Sequence, residues 1–103
     1  MKVSILERLQ IQSIVPKEGD VVSLIHIKDI LSKVEITAKE AEECELKHHD
    51  NGMVTFNPEK AIVIDVKLNV EQIIIIKAVL NKKNEEKSLR LELLDLYQKF
   101  EKL

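Results

Sequence analysis

One turn constrains the fold of this chain more than any other feature of its sequence. Residues 50–52 read Asp-Asn-Gly, and Asn and Gly both tolerate the positive φ angles that a tight hairpin requires. Asn57-Pro58 then interrupts the second strand of the hairpin. From Ile62 to Leu68, apolar residues alternate with others in the two-residue period of a half-buried strand. The middle of the chain is therefore predicted to form a three-stranded sheet.

The register of this hairpin also follows from the pattern. A two-residue loop would place apolar side chains beside charged ones on the same face of the sheet. A three-residue loop with the glycine in a bulge instead pairs His48 with Val54 and Leu46 with Phe56, which makes one apolar face. We therefore predict the second register, with His48 on the inner face and His49 outside.

Two helices are predicted before the hairpin. Ser4 and Glu7 have the spacing of a capping box, which indicates a first helix from Ile5 to about Ile14. Asp20 is placed to cap a second helix. The apolar stripe of this second helix is predicted to face the core and consists of Val21, Leu24, Ile27, Leu31 and Val34.

A short third helix is predicted between the second helix and the hairpin. Thr37 and Glu40 repeat the capping-box spacing, which indicates a helix from Ala38 to about Glu45. Ala41 and Cys44 would face inward on this helix. Its remaining surface is mostly acidic.

Two further helices are predicted after the sheet. Asn69 and Gln72 indicate a helix cap, so the β-branched run Ile73–Ile76 is predicted to lie in a buried helix despite its weak helix propensity. The polar segment Asn81–Lys87 is predicted to be a loop. Ser88 is predicted to open the last helix.

These elements predict one α+β domain over residues 1–103, with about five helices around a small three-stranded antiparallel sheet. Two helices, a short third helix and a hairpin follow in the order of a winged helix, which would bind DNA through its third helix. That helix carries Lys39 against four carboxylates, which phosphates would repel. The carboxylates are those of Glu40, Glu42, Glu43 and Glu45. A winged-helix nucleic-acid-binding protein is therefore the alternative, and nucleic acid is not the expected partner.

One cluster of side chains has the chemistry of metal ligands: Cys44, His48, His49 and Asp50. Cys44 and His48 have the spacing of two ligands on one helical face, but the helix is expected to end between them. A structural zinc normally takes four ligands, and His26 is the only other Cys or His in the chain. The sequence therefore predicts neither a metal nor a cofactor, and a small metalloprotein or hydrolase is a second alternative.

Motifs of catalytic sites are absent from the sequence. It contains no GxSxG, HExxH, GxxxxGK[ST] or GxGxxG, and its two glycines, Gly19 and Gly52, cannot build a phosphate-binding loop. Cys44 lies among glutamates, which disfavour a reactive thiolate. We therefore predict that the protein is not an enzyme.

Composition favours a cytoplasmic location. Cys44 has no second cysteine with which to form a disulfide, which fits a reducing compartment. Charges at Lys2, Glu7 and Arg8 interrupt what would have to be the apolar core of a signal peptide. The longest apolar run, Ile73–Ile76, is far shorter than the roughly 20 residues of a membrane span. The formal net charge of -2 indicates no particular charged partner.

The last helix provides the candidate interface. Its apolar stripe is wider than the narrow stripe by which one helix packs on a single neighbour. The helix is therefore either embedded in its own domain or in contact with another chain. The candidate interface residues are Leu89, Leu93, Leu96, Tyr97 and Phe100. Packing within the domain is the favoured interpretation, and an exposed helix would instead indicate a protein partner or a homodimer.

Two segments resemble a group of viral proteins. Leu6–Asp20, which ends in Ile-Val-Pro-Lys-Glu-Gly-Asp, and Leu94–Phe100, which reads Leu-Asp-Leu-Tyr-Gln-Lys-Phe, resemble small uncharacterised proteins encoded by bacteriophages and prophages. The resemblance implies a bacterial or phage setting and an accessory role, with no catalytic residues to transfer. The function predicted from the sequence is a non-enzymatic protein-interaction or accessory module.

Overall fold

The chain forms five α-helices and four short strands within residues 1–60 and 62–103, which its computed structural model describes. The helices are α1 (Ile5–Ile14), α2 (Val21–Val34), α3 (Ala38–Glu43), α4 (Val70–Glu85) and α5 (Leu94–Glu101). The strands are β1 (Lys2–Val3), β2 (Lys47–His48), β3 (Val54–Thr55) and β4 (Ile64–Asp65). Single turns of 3-10 helix lie at Pro58–Lys60 and Leu91–Leu93. The predicted α+β class is confirmed.

The starts of α1, α2, α3 and α4 are fixed by side-chain caps at the predicted residues, whereas α5 begins without a side-chain cap. Ser4, Thr37 and Asn69 each open a reciprocal capping box, at α1, α3 and α4 respectively. The carboxylate of Asp20 accepts a hydrogen bond from the backbone N–H of Ser23 at 2.7 Å and caps α2. Each cap satisfies a backbone donor that the helix itself leaves free, so these starts follow from local sequence.

The described strands form two two-stranded sheets and not the predicted three-stranded one. Segment 62–68 does contain a strand, but β4 pairs antiparallel with β1, with Val3 opposite Ile64. The backbone N–H of Val66 extends this contact by donating to the carbonyl of Met1 at 2.8 Å. The sequence did not predict β1, because two residues are too few to show a strand period.

The hairpin has the predicted register. His48 lies opposite Val54, and the N–H of His49 donates to the carbonyl of Met53 at 2.8 Å, which closes a three-residue loop. Gly52 has a φ of 83° in this loop. His48 is on the side of the hairpin that faces α1 and α2, but it is exposed and not buried. Both residues of β2 are exposed, whereas Leu46, Val54 and Phe56 are half-buried.

The main core lies between α1, α2, α4 and α5. Its buried side chains are Val3, Ile11, Val15, Ile27, Ile30, Val34, Val66, Ile76, Leu80, Leu93, Leu96 and Phe100. The predicted stripe of α2 is correct only in the C-terminal half of that helix. Ile27 and Val34 are buried as predicted, and Leu31 is half-buried. Val21 and Leu24 are exposed, and Ile30, which was not part of the predicted stripe, is fully buried.

The predicted loop 81–87 is wrong, because α4 continues to Glu85. The helix ends at a turn in which Lys87 has a positive φ of 57°. There the N–H of Ser88 donates to the carbonyl of Lys83 at 2.8 Å, and the N–H of Lys87 donates to that of Asn84 at 3.1 Å. This pair of bonds is a Schellman closure. The last helix begins at Leu94 and not at Ser88, after the turn at Leu91–Leu93.

Candidate functional site

The first two turns of α2 expose an apolar surface. Val21, Val22 and Ile25 are 72%, 66% and 62% exposed, and Leu24 is 37% exposed. We call these four residues the α2 patch. The residues lie within five consecutive positions of one capped helix, so they form a cluster and not scattered single side chains. Clusters of this kind mark binding surfaces more often than single exposed aliphatic residues do.

The α2 patch lies on the solvent-facing side of α2, and hydrogen bonds to α4 fix the orientation of this helix. Gln72 of α4 is fully buried, and its amide donates to the carboxylate of Asp29 on α2. The amide oxygen of Gln72 accepts from the ammonium of Lys33 at 3.0 Å and from the N–H of Asn69 at 3.0 Å. This network joins α2 to the start of α4 and sets which face of α2 points to solvent.

Charged groups lie at both ends of the α2 patch. Asp20 precedes it, and hydrogen bonds from Ser23 lower the pKa of that carboxyl below its usual value. Lys28 is exposed one turn after Leu24. The patch is therefore apolar in its centre, acidic at its N-terminal end and basic at its C-terminal end.

A concave feature lies between α1, α2 and the hairpin. It is a cleft of about 360 Å³ lined by Leu9, Gln12, Leu31, Ser32, Glu35, Ile36, Leu46 and His48. Its four aliphatic side chains are half-buried, and the side chains of Ser32, Glu35 and His48 are exposed. The cleft can accept an apolar group, but its polar side chains show no hydrogen bonds of the kind that pair a base with a nucleophile.

Behind this cleft, Arg8 forms a buried ion pair. Its guanidinium donates to both carboxylate oxygens of Glu40, at 2.8 and 2.9 Å, and to the carbonyls of Val34 and Glu35. Hydrogen bonds from Arg8 lower the pKa of Glu40 to about 2, against the opposing effect of burial. Arg8 thus links α1 to the end of α2 and to α3.

The four side chains with the chemistry of metal ligands are not grouped as a metal site. Cys44 is fully buried, whereas His48, His49 and Asp50 are exposed. The Nε2 atom of His49 lies 2.8 Å from the hydroxyl of Thr55. Within residues 1–60 and 62–103, no three His, Cys, Asp or Glu side chains are grouped so that they could hold a metal ion.

The candidate interface of the last helix lies mostly inside the protein. Leu93, Leu96 and Phe100 belong to the core, and Leu89 and Tyr97 pack against it as half-buried side chains. This is the embedded arrangement that the sequence left open as the alternative to an interface. A partner would have little access to the three core side chains.

The predicted winged-helix order is present, with α1, α2, α3 and the hairpin in sequence. The helix that would enter DNA has only six residues. Glu40 is engaged by Arg8, and Glu42 and Glu43 are exposed. The surface of α3 is therefore acidic, as its sequence indicates.

The sequence did not predict the α2 patch, because Val21 and Leu24 also fit the apolar stripe assigned to the core. A signal was present, since the aliphatic residues 21, 22, 24 and 25, taken together with those at 27, 30, 31 and 34, lie around most of the helix circumference. A surface helix buries only one stripe, so some of these residues had to be exposed.

Comparisons with family models, with curated proteins and with solved structures find no match for this chain. No described helix is both long and apolar enough to cross a membrane. The function is therefore inferred from the surfaces and clefts of the described residues.

Proposed function

We propose that this protein is a non-enzymatic protein-interaction module and that the α2 patch is its binding surface. The observation that carries this proposal is the exposure of Val21, Val22 and Ile25 on a helix whose orientation is fixed by Gln72. Covering each of these side chains would contribute about 1–2 kcal/mol before the costs of association. The bacterial or phage setting and the cytoplasmic location expected from the sequence belong to the same proposal.

The first partner to test is a second copy of the chain. Asp20 and Lys28 lie at opposite ends of the patch. Two copies of α2 that pack antiparallel about a two-fold axis near Leu24 would place Asp20 of one copy opposite Lys28 of the other. Such a contact is self-complementary, as a two-fold interface requires.

Sedimentation equilibrium from low micromolar to near-millimolar protein tests this arrangement. We expect an average mass that rises with concentration, and a double variant Val22→Lys, Ile25→Lys that remains monomeric. The matched control is Val70→Lys, Leu91→Lys, because these residues are equally exposed but lie outside the α2 patch. The control should associate like the unchanged protein.

If the protein is monomeric at all concentrations, the partner to test next is a different protein. The unchanged protein and both double variants would then be immobilised, and nuclease-treated bacterial lysate passed over each. A protein retained by the unchanged chain and by the control, but not by the Val22→Lys, Ile25→Lys variant, would support the proposal. Equal retention by all three, together with the monomeric mass, would show that the α2 patch is not a binding surface.

A further inference from the structure

Two basic side chains from separate segments meet at a cleft beside α1. Lys83 of α4 and Arg90 of the α4–α5 connection both line a space of about 240 Å³, together with Gln10 and Ser13 of α1. In sequence these two cations belong to a mixed-charge segment that resembles an ordinary solvated loop. The continuation of α4 to Glu85 places Lys83 on a helix and leaves it half-buried.

Hydrogen bonds to backbone carbonyls fix the position of the α4–α5 connection beside α1. Both the N–H and the hydroxyl of Ser88 donate to the carbonyl of Lys83, at 2.8 and 3.3 Å, so the chain turns back directly after α4. The amide of Gln10 donates to the carbonyl of Glu92 at 2.8 Å and ties the connection to α1. Arg90 lies between these two attachments.

Neither cation is neutralised by the protein. In the described part of the chain, Lys83 and Arg90 form no ion pair and their side chains make no hydrogen bond, whereas the neighbouring Lys82 faces Glu86 at 4.0 Å. Glu92 also lines the cleft, and its side chain and that of Arg90 are exposed, whereas Lys83 is half-buried; the lining carries two cations against one carboxylate and is positive overall. A partly enclosed site with two unpaired cations favours an anion over water.

The two cations are of complementary kinds. A guanidinium presents a planar fork of donors that matches two oxygens of a phosphoryl group, and an ammonium acts as a compact point charge. The cleft is smaller than the about 300–1,000 Å³ of sites that enclose drug-sized ligands. We propose that this cleft binds a small phosphate-bearing ligand, with Lys83 and Arg90 as its anion contacts. The proposal is independent of the α2 patch.

Pyrophosphate is the probe for this site. The folded chain is titrated with pyrophosphate at constant ionic strength while backbone amide resonances are followed by NMR. We expect saturable shifts at Gln10, Ser13, Lys83 and Arg90. The variants Lys83→Gln and Arg90→Gln should each weaken binding by about tenfold, since each loses a charge-assisted hydrogen bond. The same spectra show whether each variant is folded.

Lys87→Gln is the matched control, because it removes the same charge from an exposed residue of the adjacent turn that does not line the cleft. Its affinity for pyrophosphate should stay within about twofold of the unchanged protein. Shifts that do not saturate, or an equal loss of affinity in Lys87→Gln, would overturn the proposal. Binding of a single-stranded oligonucleotide without binding of pyrophosphate would also overturn it.

Discussion

Arg8 is the residue on which the packing of the first three helices depends most. It is 1% exposed, it is the one buried charged side chain among the described residues, and its donors reach two carbonyls and one carboxylate. A buried guanidinium is tolerated only when its hydrogen bonds are satisfied in this way. Arg8 is not among the residues predicted to be buried, although its position one turn after Ile5 and one turn before Ile11 places a charge on the buried face of α1.

The ion pair with Glu40 predicts how stability depends on pH. The pKa of Glu40 falls from 4.5 to about 2 on folding, chiefly because Arg8 donates to its carboxylate. A carboxyl with a lowered pKa adds stability that is fully present above pH 4.5 and is lost as the pH falls towards 2. For a fully buried pair this difference would correspond to about 3 kcal/mol. Because solvent screens the partly exposed carboxylate of Glu40, we expect about 1–2 kcal/mol. Urea unfolding between pH 7 and pH 2 measures it.

The Glu40→Gln variant isolates this contribution. It should be less stable at neutral pH, and its unfolding free energy should fall less on acidification than that of the unchanged protein. Glu42→Gln is the control, because Glu42 is exposed and has no ion-pair partner among the described residues. If acidification destabilised Glu40→Gln as much as Glu42→Gln, the assigned role of the Arg8 contact would be wrong.

At the scale of the elements, the starts of the four capped helices and the end of α1 were predictable, whereas the end of α4 and the start of α5 were not. The caps at Ser4, Asp20, Thr37 and Asn69 are side-chain features that local sequence shows directly. The ends of α3 and α4 are both Schellman closures, and the residues with positive φ are Glu45 and Lys87. Glycine usually occupies that position, so a charged residue there gives no signal in the sequence.

The left-handed conformation of Lys87 leads to a stability prediction. A side chain in this region is strained, and glycine is not. Lys87→Gly should therefore raise the unfolding free energy by about 0.5–1 kcal/mol, measured by urea denaturation. Lys82→Gly is the control within α4 and should lower it by about 1 kcal/mol. A loss of stability in Lys87→Gly would show that this turn does not carry the strain.

At the scale of the whole molecule, the sequence predicted the fold class and the number of α-helices better than the strands and their long-range pairing. The apolar periods indicated the helices, and the Asp-Asn-Gly turn indicated the hairpin and its register. The pairing of β1 with β4 joins residues at Val3 and Ile64, which no local period can relate. The α2 patch was missed for a similar reason, since its exposure depends on which side of α2 the other helices cover.

The core predicts that α5 unfolds together with the rest of the domain. Phe100 and Leu96 are buried with side chains of α1, α2 and α4 in one cluster. Phe100→Ala should lower the unfolding free energy by about 3–5 kcal/mol in a single transition followed by circular dichroism. Leu91→Ala, at a residue that is 84% exposed, should change it by less than about 0.5 kcal/mol. A separate early transition in Phe100→Ala would show that α5 is only loosely attached.

The burial of Cys44 has a consequence for watching this molecule move. The thiol is fully buried where α3 meets the hairpin, and the carbonyl of the same residue accepts from the N–H of Asn57 at 2.8 Å. An alkylating reagent can reach the sulfur only while this junction is open. Since the chain has a single cysteine, the rate at which it is labelled reports how often the junction between α3 and the hairpin opens. Alkylation of the unchanged protein therefore measures local opening at one defined place.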